Sequence, residues 1–338
     1  AQRYECLKCH RTFRVYPRGV SRAQVSQRVY GLAVLLYLLG LSYGAVALTL
    51  EALGVPLCKS RVYDVVQAAA ERVPGLKRTQ VFGEVQTPAL GADVTSVRCN
   101  GTWLPLGLTV DDTTGLVLTV DDLSAEDAAT LQDWLTPIVT SVGAEILVTD
   151  DADSFKQVAD ELGLAQQVCK NHVQRNTEAL IQNLQEAVSQ DPAGSLTAIG
   201  VSPAQAQADL RRLETLIHSR QPQEERDLHR LYDRYREATP PAKGESASVA
   251  YRLRLLFLDR WNLWPRLTCY RTWRGPQGQT LDGTNNGTER AIGWWVKERY
   301  RTMRGYKRTR SALNISRFLA WCGNHLDRGG VNLALLVA

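Results

Sequence analysis

The sequence predicts an α/β protein with a mixed sheet, and three observations predict it. Three short runs with the two-residue alternation of β-strands lie between Pro88 and Leu123. Strand-like and helix-like segments then alternate as far as residue 176, which is typical of a sheet with helices on its faces. A long polar segment with helical periodicity follows, over 177–283. The 338 residues are enough for about two or three domains of ordinary size.

The composition is that of a globular protein. Hydrophobic residues make up 44% of the chain and charged residues 22%, which excludes wholesale disorder. The seven cysteines are odd in number and widely spaced, which argues against a secreted disulfide scaffold and predicts a reducing cytosol. The polar, basic start predicts that no signal peptide is present. No residue from Val29 to Leu50 is charged, but Gly40-Leu41-Ser42 predicts two short buried helices instead of a membrane span.

The first segment, residues 1–22, contains a Cys-x-x-Cys knuckle formed by Cys6 and Cys9 and followed by a basic, aromatic strand. A structural zinc site needs four ligands, and the knuckle supplies two of them. The other ligands would come from preceding residues or from His10. We interpret the segment as part of a zinc ribbon, and the alternative is a pair of free thiols on a short ribbon.

Residues 23–82 predict a helical DNA-binding domain. Three helices are expected, over 29–39, 42–53 and 60–73. Two helices joined by a short Gly-containing turn form the helix-turn-helix pattern, whose second helix enters the major groove of DNA. Lys59 and Arg61 would then contact DNA at the start of the recognition helix. The alternative is a small helical bundle that does not bind DNA.

Residues 83–176 predict the first part of a sheet domain. Strands are expected over 88–97, 102–111, 115–123, 144–149 and 166–170. Asn100-Gly101 is a hairpin turn signal, and Ser124 with Asp127 resembles a capping box for a helix that ends near Val142. Two more helices are expected, over 153–162 and from about residue 172. The order β-β-β-α-β-α-β-α is that of an RNase H-like core with a mixed five-stranded sheet.

The sequence after residue 176 predicts a helical insertion into this core, followed by the last part of the core. Residues 177–283 predict an all-α insertion, with a Pro-rich linker over 239–244. Residues 284–338 predict the last part of the core and contain a basic helix.

Position in the predicted sheet selects the candidate catalytic acids. The acids of an RNase H-like sheet sit on its first strand and at the C-terminal end of its fourth, which is the neighbouring strand. Asp93 lies inside the first strand, Asp150 ends the fourth, and Glu289 would close the site from a later helix. Mg²⁺ prefers such oxygen ligands, and two ions would activate the attacking oxygen and stabilise the leaving one in a phosphoryl displacement. Asp151 and Asp153 compete with Asp150 for this role. Four other acids are interpreted as turn residues at hairpin ends: Asp111, Asp112, Asp121 and Asp122.

Four short motifs in this order resemble those of the DDE transposases of bacterial insertion sequences and their Mutator-like relatives. They are Gly91-Ala92-Asp93-Val94, Val148-Thr149-Asp150-Asp151, Cys169-x-x-His172 with Arg175-Asn176, and Thr284-Asn285-Asn286-x-x-Glu289-Arg290. The resemblance covers about residues 20–320. It implies a catalytic triad of Asp93, Asp150 and Glu289 that binds two Mg²⁺ or Mn²⁺ ions. It also implies neighbours of the active site, namely Cys169, His172, Asn286 and Trp294. The family commonly has Gly at the position of Asp151.

Basic residues are concentrated in two segments. Residues 290–310 carry a net charge of +7 and residues 1–28 a net charge of +6, so the rest of a chain of net charge +5 is acidic. A helix that begins at Ala291 would bring several cations close to one face beside Glu289, where they would neutralise DNA phosphates. These cations are Arg290, Lys297, Arg301 and Arg304. Trp294 and Trp295 would either stack on unpaired bases or pack in the core.

These observations predict a DDE transposase that cuts and joins double-stranded DNA at transposon ends and target sites. The resemblance implies a homodimer or higher oligomer on DNA, in the bacterial cytoplasm at the nucleoid and with no membrane partner. Two alternatives stay open. One is a transposase-derived DNA-binding regulator without catalysis, and the other is an RNase H-like nuclease or junction resolvase without a joining step. The long insertion before Glu289 favours the transposase.

Overall fold

The computed structural model describes residues 2–17, 25–191, 194–219, 224–297, 300, 305–326 and 333–336. The chain divides into two compact units, one made of Ala1–Ala144 and Asn286–Ala338, the other of Glu145–Asn285. The strands are β1 (Gln2–Glu5), β2 (Thr12–Val15), β3 (Ala89–Cys99), β4 (Thr102–Asp111), β5 (Val117–Asp122), β6 (Ile146–Thr149) and β7 (Ala165–Val168). Strands β1 and β2 form an antiparallel hairpin, and β3 to β7 belong to one mixed five-stranded sheet, which confirms the predicted α/β class.

Three helices precede the sheet in the first unit: α1 (Gln27–Leu38), α2 (Tyr43–Ala52) and α3 (Lys59–Glu71). Ser26 and Ser42 cap α1 and α2, because their side chains accept hydrogen bonds from backbone N–H groups three residues later. Gly40, with a φ of 107°, ends α1 and separates it from α2. The prediction of two short helices in the uncharged segment is therefore confirmed. Among the described residues, no helix is both long enough and apolar enough to cross a bilayer.

The antiparallel part of the sheet has the order β5-β4-β3. The pairing of β3 with β4 runs from Leu90 opposite Asp111 to Cys99 opposite Thr102. Asn100 and Gly101 between them both have positive φ, which is the geometry of a tight two-residue hairpin turn. The three predicted strands are confirmed to within three residues at their ends.

Helix α4 (Ala128–Val142) begins later than predicted. Ser124 does not cap it; the cap is Asp127, whose carboxylate accepts a hydrogen bond from the N–H of Thr130 at 2.9 Å. That hydrogen bond lowers the pKa of Asp127. Gly107 allows α4 to pack closely on the sheet, because a Cβ atom there would lie 2.6 Å from the ring of Trp134.

Asp121 is not the turn residue that the sequence predicts, because it lies inside β5 and is buried. Its carboxylate accepts hydrogen bonds from the Trp134 indole at 3.2 Å and from the Arg317 guanidinium at 2.9 Å. The backbone N–H of Arg78 is a third donor, at 3.0 Å. Asp121 therefore has a structural role, since a buried carboxylate is stabilised by such donors.

The first unit ends with helices that pack on the antiparallel strands and on α3. They are α12 (Asn286–Ala291), a π-helix (Ile292–Lys297), α13 (Thr309–Leu326) and α14 (Leu333–Leu336). Ile315 and Phe318 of α13 are fully buried in the hydrophobic core that also contains Val62 and Val66 of α3. The basic segment is not the predicted continuous α-helix from Ala291, because the helix begins five residues earlier and continues as a π-helix.

The second unit contains the parallel pair β6 and β7 and is otherwise mostly helical. Its helices are α5 (Asp153–Glu161), α6 (Lys170–Gln190), α7 (Ser195–Ala198), α8 (Pro203–His218), α9 (Glu224–Tyr235), α10 (Val249–Leu267) and α11 (Cys269–Thr272). Their apolar faces form one hydrophobic core, in which Leu210, Leu213, Leu253 and Phe257 are fully buried. The segment predicted as a linker lies between α9 and α10.

Candidate active site

Asp93 lies in the middle of β3, where it pairs with Leu108 of β4. Its side chain is half-buried, whereas the preceding Ala92 is fully buried. One oxygen of the Asp93 carboxylate accepts a hydrogen bond from the N–H of Val94 at 2.7 Å. Because side chains alternate along a strand, Asp93 and Gly91 lie on the same face of the sheet.

Helix α12 packs on that same face, at Gly91. A Cβ atom on Gly91 would lie only 2.3 Å from the Oγ1 atom of Thr288, so a larger residue would require the Thr288 side chain or the helix to shift. Glu289 follows Thr288 in α12 and is half-buried, as is Asn286, which begins the helix. The first unit therefore holds the helix of Glu289 against the strand face of Asp93.

Asp150 directly follows β6 in the second unit and is half-buried. Its carboxylate accepts a hydrogen bond from the N–H of Ala152 at 3.1 Å, which fixes the turn before α5. Within the described part of the chain, Asp150 has no ion-pair partner.

Asp151 differs from Asp150 because basic side chains surround it. The Nζ atom of Lys156 lies 2.9 Å from one carboxylate oxygen, and Arg260 lies 3.9 Å from the other. Burial lowers the pKa of Lys156, but its hydrogen bonds to Asp151 and Asp153 outweigh this effect and raise the pKa overall. Arg260 is buried, and the carboxylate in direct contact with it is that of Asp259, so the main ion pair of Asp151 is the one with Lys156. Asp153, by contrast, has a fully exposed side chain.

Cys169 and His172 lie at the start of α6. Cys169 is buried and its N–H donates to the carbonyl of Thr149 at 2.8 Å, which ties the end of β7 to the end of β6. The sulfur of Cys169 and a ring nitrogen of His172 lie within 4.8 Å of each other. Sulfur and imidazole donors suit zinc and other transition metals better than Mg²⁺, which prefers oxygen.

The N-terminal knuckle lies in the turn between β1 and β2. Cys9 is exposed and Cys6 is half-buried. Backbone hydrogen bonds from Cys9 and Lys8 lower the pKa of Cys6, so its thiolate is stabilised. His10 follows with a φ of 54°, in the left-handed region. Two cysteine sulfurs at this spacing fit one half of a tetrahedral zinc site.

Lys59 and Arg61 are both exposed in the first turn of α3, as the helix-turn-helix interpretation requires. The Arg61 guanidinium also donates to the hydroxyl of Tyr30 on α1 at 3.1 Å, and it lies 5.0 Å from the centre of that ring. This contact orients Arg61 along the surface of α1.

The four cations predicted to share a face are only partly described. Arg290 and Lys297 are exposed. Arg301 and Arg304 lie outside the described residues, as does the side chain of Trp294. The hydrogen bonds of a π-helix span five residues, so the face predicted for a regular α-helix does not apply over Ile292–Lys297.

Sequence reasoning missed two features that position these acids. The first is the close approach of Thr288 to Gly91, although a glycine inside a strand is a known sign that another backbone comes near. The second is the ion pairing of Asp151 with Lys156 and Arg260, which distinguishes it from Asp150. Arg260 is 109 residues away in the sequence, so no local pattern indicates the pair.

Comparisons with known proteins give remote structural similarity only. No protein-family model matches the sequence, and no curated protein matches it. The chain is similar to the Drosophila P element transposase in its strand transfer complex, at 9% identity, with 94% of this chain and 95% of that chain covered and a TM-score of 0.46. It is similar to the catalytic core domain of BIV integrase, at 15% identity, 57% and 90% coverage and a TM-score of 0.21. A chain in the simian T-cell lymphotropic virus intasome complex with PP2A regulatory subunit B56 gamma is similar at 11% identity, 74% and 72% coverage and a TM-score of 0.22.

Proposed function

We propose that this chain is a DDE transposase of the insertion-sequence type, which binds transposon-end DNA and catalyses metal-dependent strand cleavage and strand transfer. The observation that carries the proposal is the packing of α12 at Gly91. It holds the helix of Glu289 on the strand face of Asp93. For the third acid we propose Asp150, which directly follows β6 in the second unit.

The choice of Asp150 over Asp151 is supported by their different partners. Asp151 is ion-paired with Lys156 at 2.9 Å, and Arg260 lies 3.9 Å away, so part of the Asp151 charge is already compensated within the protein. Asp150 has only a backbone N–H as its partner among the described residues. We therefore assign the metal-binding role to Asp150 and a structural role to Asp151.

The three carboxylates fit hard divalent cations, since Mg²⁺ and Mn²⁺ prefer oxygen ligands. A pair of such ions supplies an activated water and stabilises charge at the phosphate in a strand cleavage. The chain itself contributes rigid positions. Thr288 against Gly91 fixes α12, and the Asp151 ion pairs fix the turn after β6. Cys169 supports this turn, because its N–H donates a hydrogen bond to the carbonyl of Thr149.

DNA would be held by the start of α3 and by the basic segment 290–310. Lys59 and Arg61 would contact transposon-end DNA from α3, and Arg290 and Lys297 would bind phosphates near Glu289, with Arg301 and Arg304 following them in the chain. The knuckle of Cys6 and Cys9 would hold Zn²⁺ with ligands from elsewhere. Two or more copies would assemble on paired DNA ends.

The test is nicking of supercoiled plasmid, which requires no knowledge of the end sequence. Asp93→Asn, Asp150→Asn and Glu289→Gln should each abolish nicking in Mn²⁺ or Mg²⁺ while leaving plasmid binding unchanged. Asp153→Asn is the matched control, because that acid is exposed and close to Asp150 in sequence, and it should keep full activity. Nicking that persists in EDTA, or that survives all three substitutions, would overturn the proposal.

Joining is measured separately, with labelled duplexes of random end sequence and an intact plasmid as the target. A transposase should insert label into the plasmid in Mn²⁺. Nicking without insertion would identify a nuclease or resolvase. DNA binding without either reaction would identify a regulator with a silent core.

A further inference from the structure

The tip of the β3–β4 hairpin carries an exposed aromatic side chain. Trp103 of β4 is 64% exposed, more than any other aromatic residue in the described part of the chain. Its cross-strand partner is Arg98, which is also exposed. Paired residues share a face of a sheet, so the indole and the guanidinium lie side by side. Neither side chain contributes to the hydrophobic core of its unit.

The tip is held rigidly. Asn100 and Gly101 form a tight turn with φ angles of 49° and 84°, and the ladder behind it is continuous down to Leu90. The burial of β4 increases from the exposed Trp103 to the fully buried Leu106. The residues of the tip, 98–103, therefore extend beyond the core on a continuous strand ladder.

The same tip is hydrogen-bonded to the basic segment that follows α12. The N–H of Arg98 donates to the hydroxyl of Tyr300 at 2.9 Å. The N–H of Tyr306 donates to the carbonyl of Arg98, and the N–H of Asn100 donates to the carbonyl of Tyr306, both at 2.8 Å. Gly305 is required here, because a Cβ atom on it would lie 2.8 Å from the carbonyl oxygen of Arg98. The tip and residues 305–306 therefore form one surface.

This surface is basic. Lys307 and Arg308 directly follow Gly305 and Tyr306, and both are exposed. Residues 98–103, which form the tip, contain no acid. An exposed aromatic ring beside clustered cations is complementary to a nucleic acid strand, whose bases stack and whose phosphates are negative.

We propose that the β3–β4 tip is a DNA-contact surface on which the Trp103 indole stacks on an unpaired base, while Arg98, Lys307 and Arg308 bind the adjoining phosphates. The inference rests on the proposed function, because it specifies which feature of the DNA substrate this surface binds. That feature is a single-stranded or splayed end beside a duplex, and blunt duplex alone would not engage the indole.

The experiment compares two DNA probes on the full-length chain in EDTA, so that cleavage plays no part. One probe is a blunt duplex and the other the same duplex with a four-nucleotide 3′ overhang containing 2-aminopurine. Trp103→Ala should weaken binding of the overhang probe by about tenfold or more, the usual effect of removing a stacking platform, and should lower the quenching of 2-aminopurine. Trp103→Tyr should retain most of both signals.

Arg98→Ala should weaken the binding of both probes. It should also reduce the slope of log affinity against log salt concentration by the equivalent of about one phosphate contact. Leu48→Ala is the matched control, because Leu48 is 68% exposed on α2 and lies outside this surface, and it should change neither probe. Equal loss of both probes in Trp103→Ala, or no loss, would overturn the inference. So would a change in oligomeric mass with unchanged DNA affinity, which would identify the surface as a protein interface. If the unsubstituted chain binds neither probe, the proposed function fails instead.

Discussion

At the scale of single residues, Gly91 determines where Glu289 can lie. The strand could accommodate other residues at this position by its backbone angles, but the Thr288 Oγ1 atom of α12 lies only 2.3 Å from where a Cβ atom would be. Asp93, two residues further along the same face, is thereby kept close to the helix that carries the other acid of this unit.

Gly91→Ala should lower the free energy of unfolding by about 1–3 kcal/mol, as overpacking usually does, and should reduce nicking activity more than DNA binding. Thr288→Ala removes the Oγ1 atom and leaves a Cβ at an ordinary distance of 3.7 Å, so the double variant should regain activity. A double-mutant cycle of urea unfolding and nicking measures this coupling. Additive effects of the two substitutions would show that the contact does not position α12.

The acids themselves could be selected from the sequence, but their environments could not. Asp93 and Asp150 are candidates because the sequence patterns place one inside a strand and the other at a strand end, and the structure confirms these two positions. The ion pairs of Asp151 could not be predicted, because Arg260 belongs to a helix distant in the sequence. The structural role of Asp121 was missed for the same reason, since its partner Arg317 lies on α13.

At the scale of elements, the strands and most helices could be predicted because their apolar periodicity and caps are local. Strand β4 was predicted at its observed bounds, and α1 to α3 within about two residues. The π-helix was not predictable, because apolar periodicity does not distinguish it from an α-helix; Ile292 and Val296 within it are buried in the core. The predicted start of α4 was wrong, because Ser124 and Asp127 are both possible caps within one turn of each other.

The hairpin of β1 and β2 carries a testable prediction about zinc binding by Cys6 and Cys9. Addition of Zn²⁺ should slow alkylation of Cys6 and Cys9 together, because the knuckle presents both sulfurs to one ion. Alkylation is measured by mass spectrometry of the intact, folded chain.

Cys58 is the control for zinc protection, since it is exposed and has no cysteine near it in sequence. Hydrogen bonds from Ser60 and from the N–H of Arg61 lower the pKa of Cys58, whereas burial raises the pKa of Cys322 to about 12. A lower pKa means more thiolate at a given pH, so Cys58 should react between pH 7 and 9 while Cys322 stays unmodified. Zinc protection of Cys58 equal to that of Cys6 would argue against a specific site in the knuckle.

At the scale of the whole molecule, positive and negative charges are distributed unevenly along the chain. The two basic segments, with net charges of +6 and +7, carry more positive charge than the net +5 of the whole chain. The acids proposed to bind metal lie in the remaining, net acidic part. Such a distribution suits an enzyme that must bind a polyanion and concentrate divalent cations at the same time.

The central claim is that Asp93, Asp150 and Glu289 bind catalytic divalent metal. It is tested most directly by a crystal of the chain soaked in Mn²⁺, with diffraction data collected above the manganese absorption edge. We predict an anomalous peak within coordination distance of the Asp93 and Asp150 carboxylates, with Glu289 facing it, and loss of that peak in Asp150→Asn. A peak held by Asp151, or no peak at any of the three acids, would contradict the account.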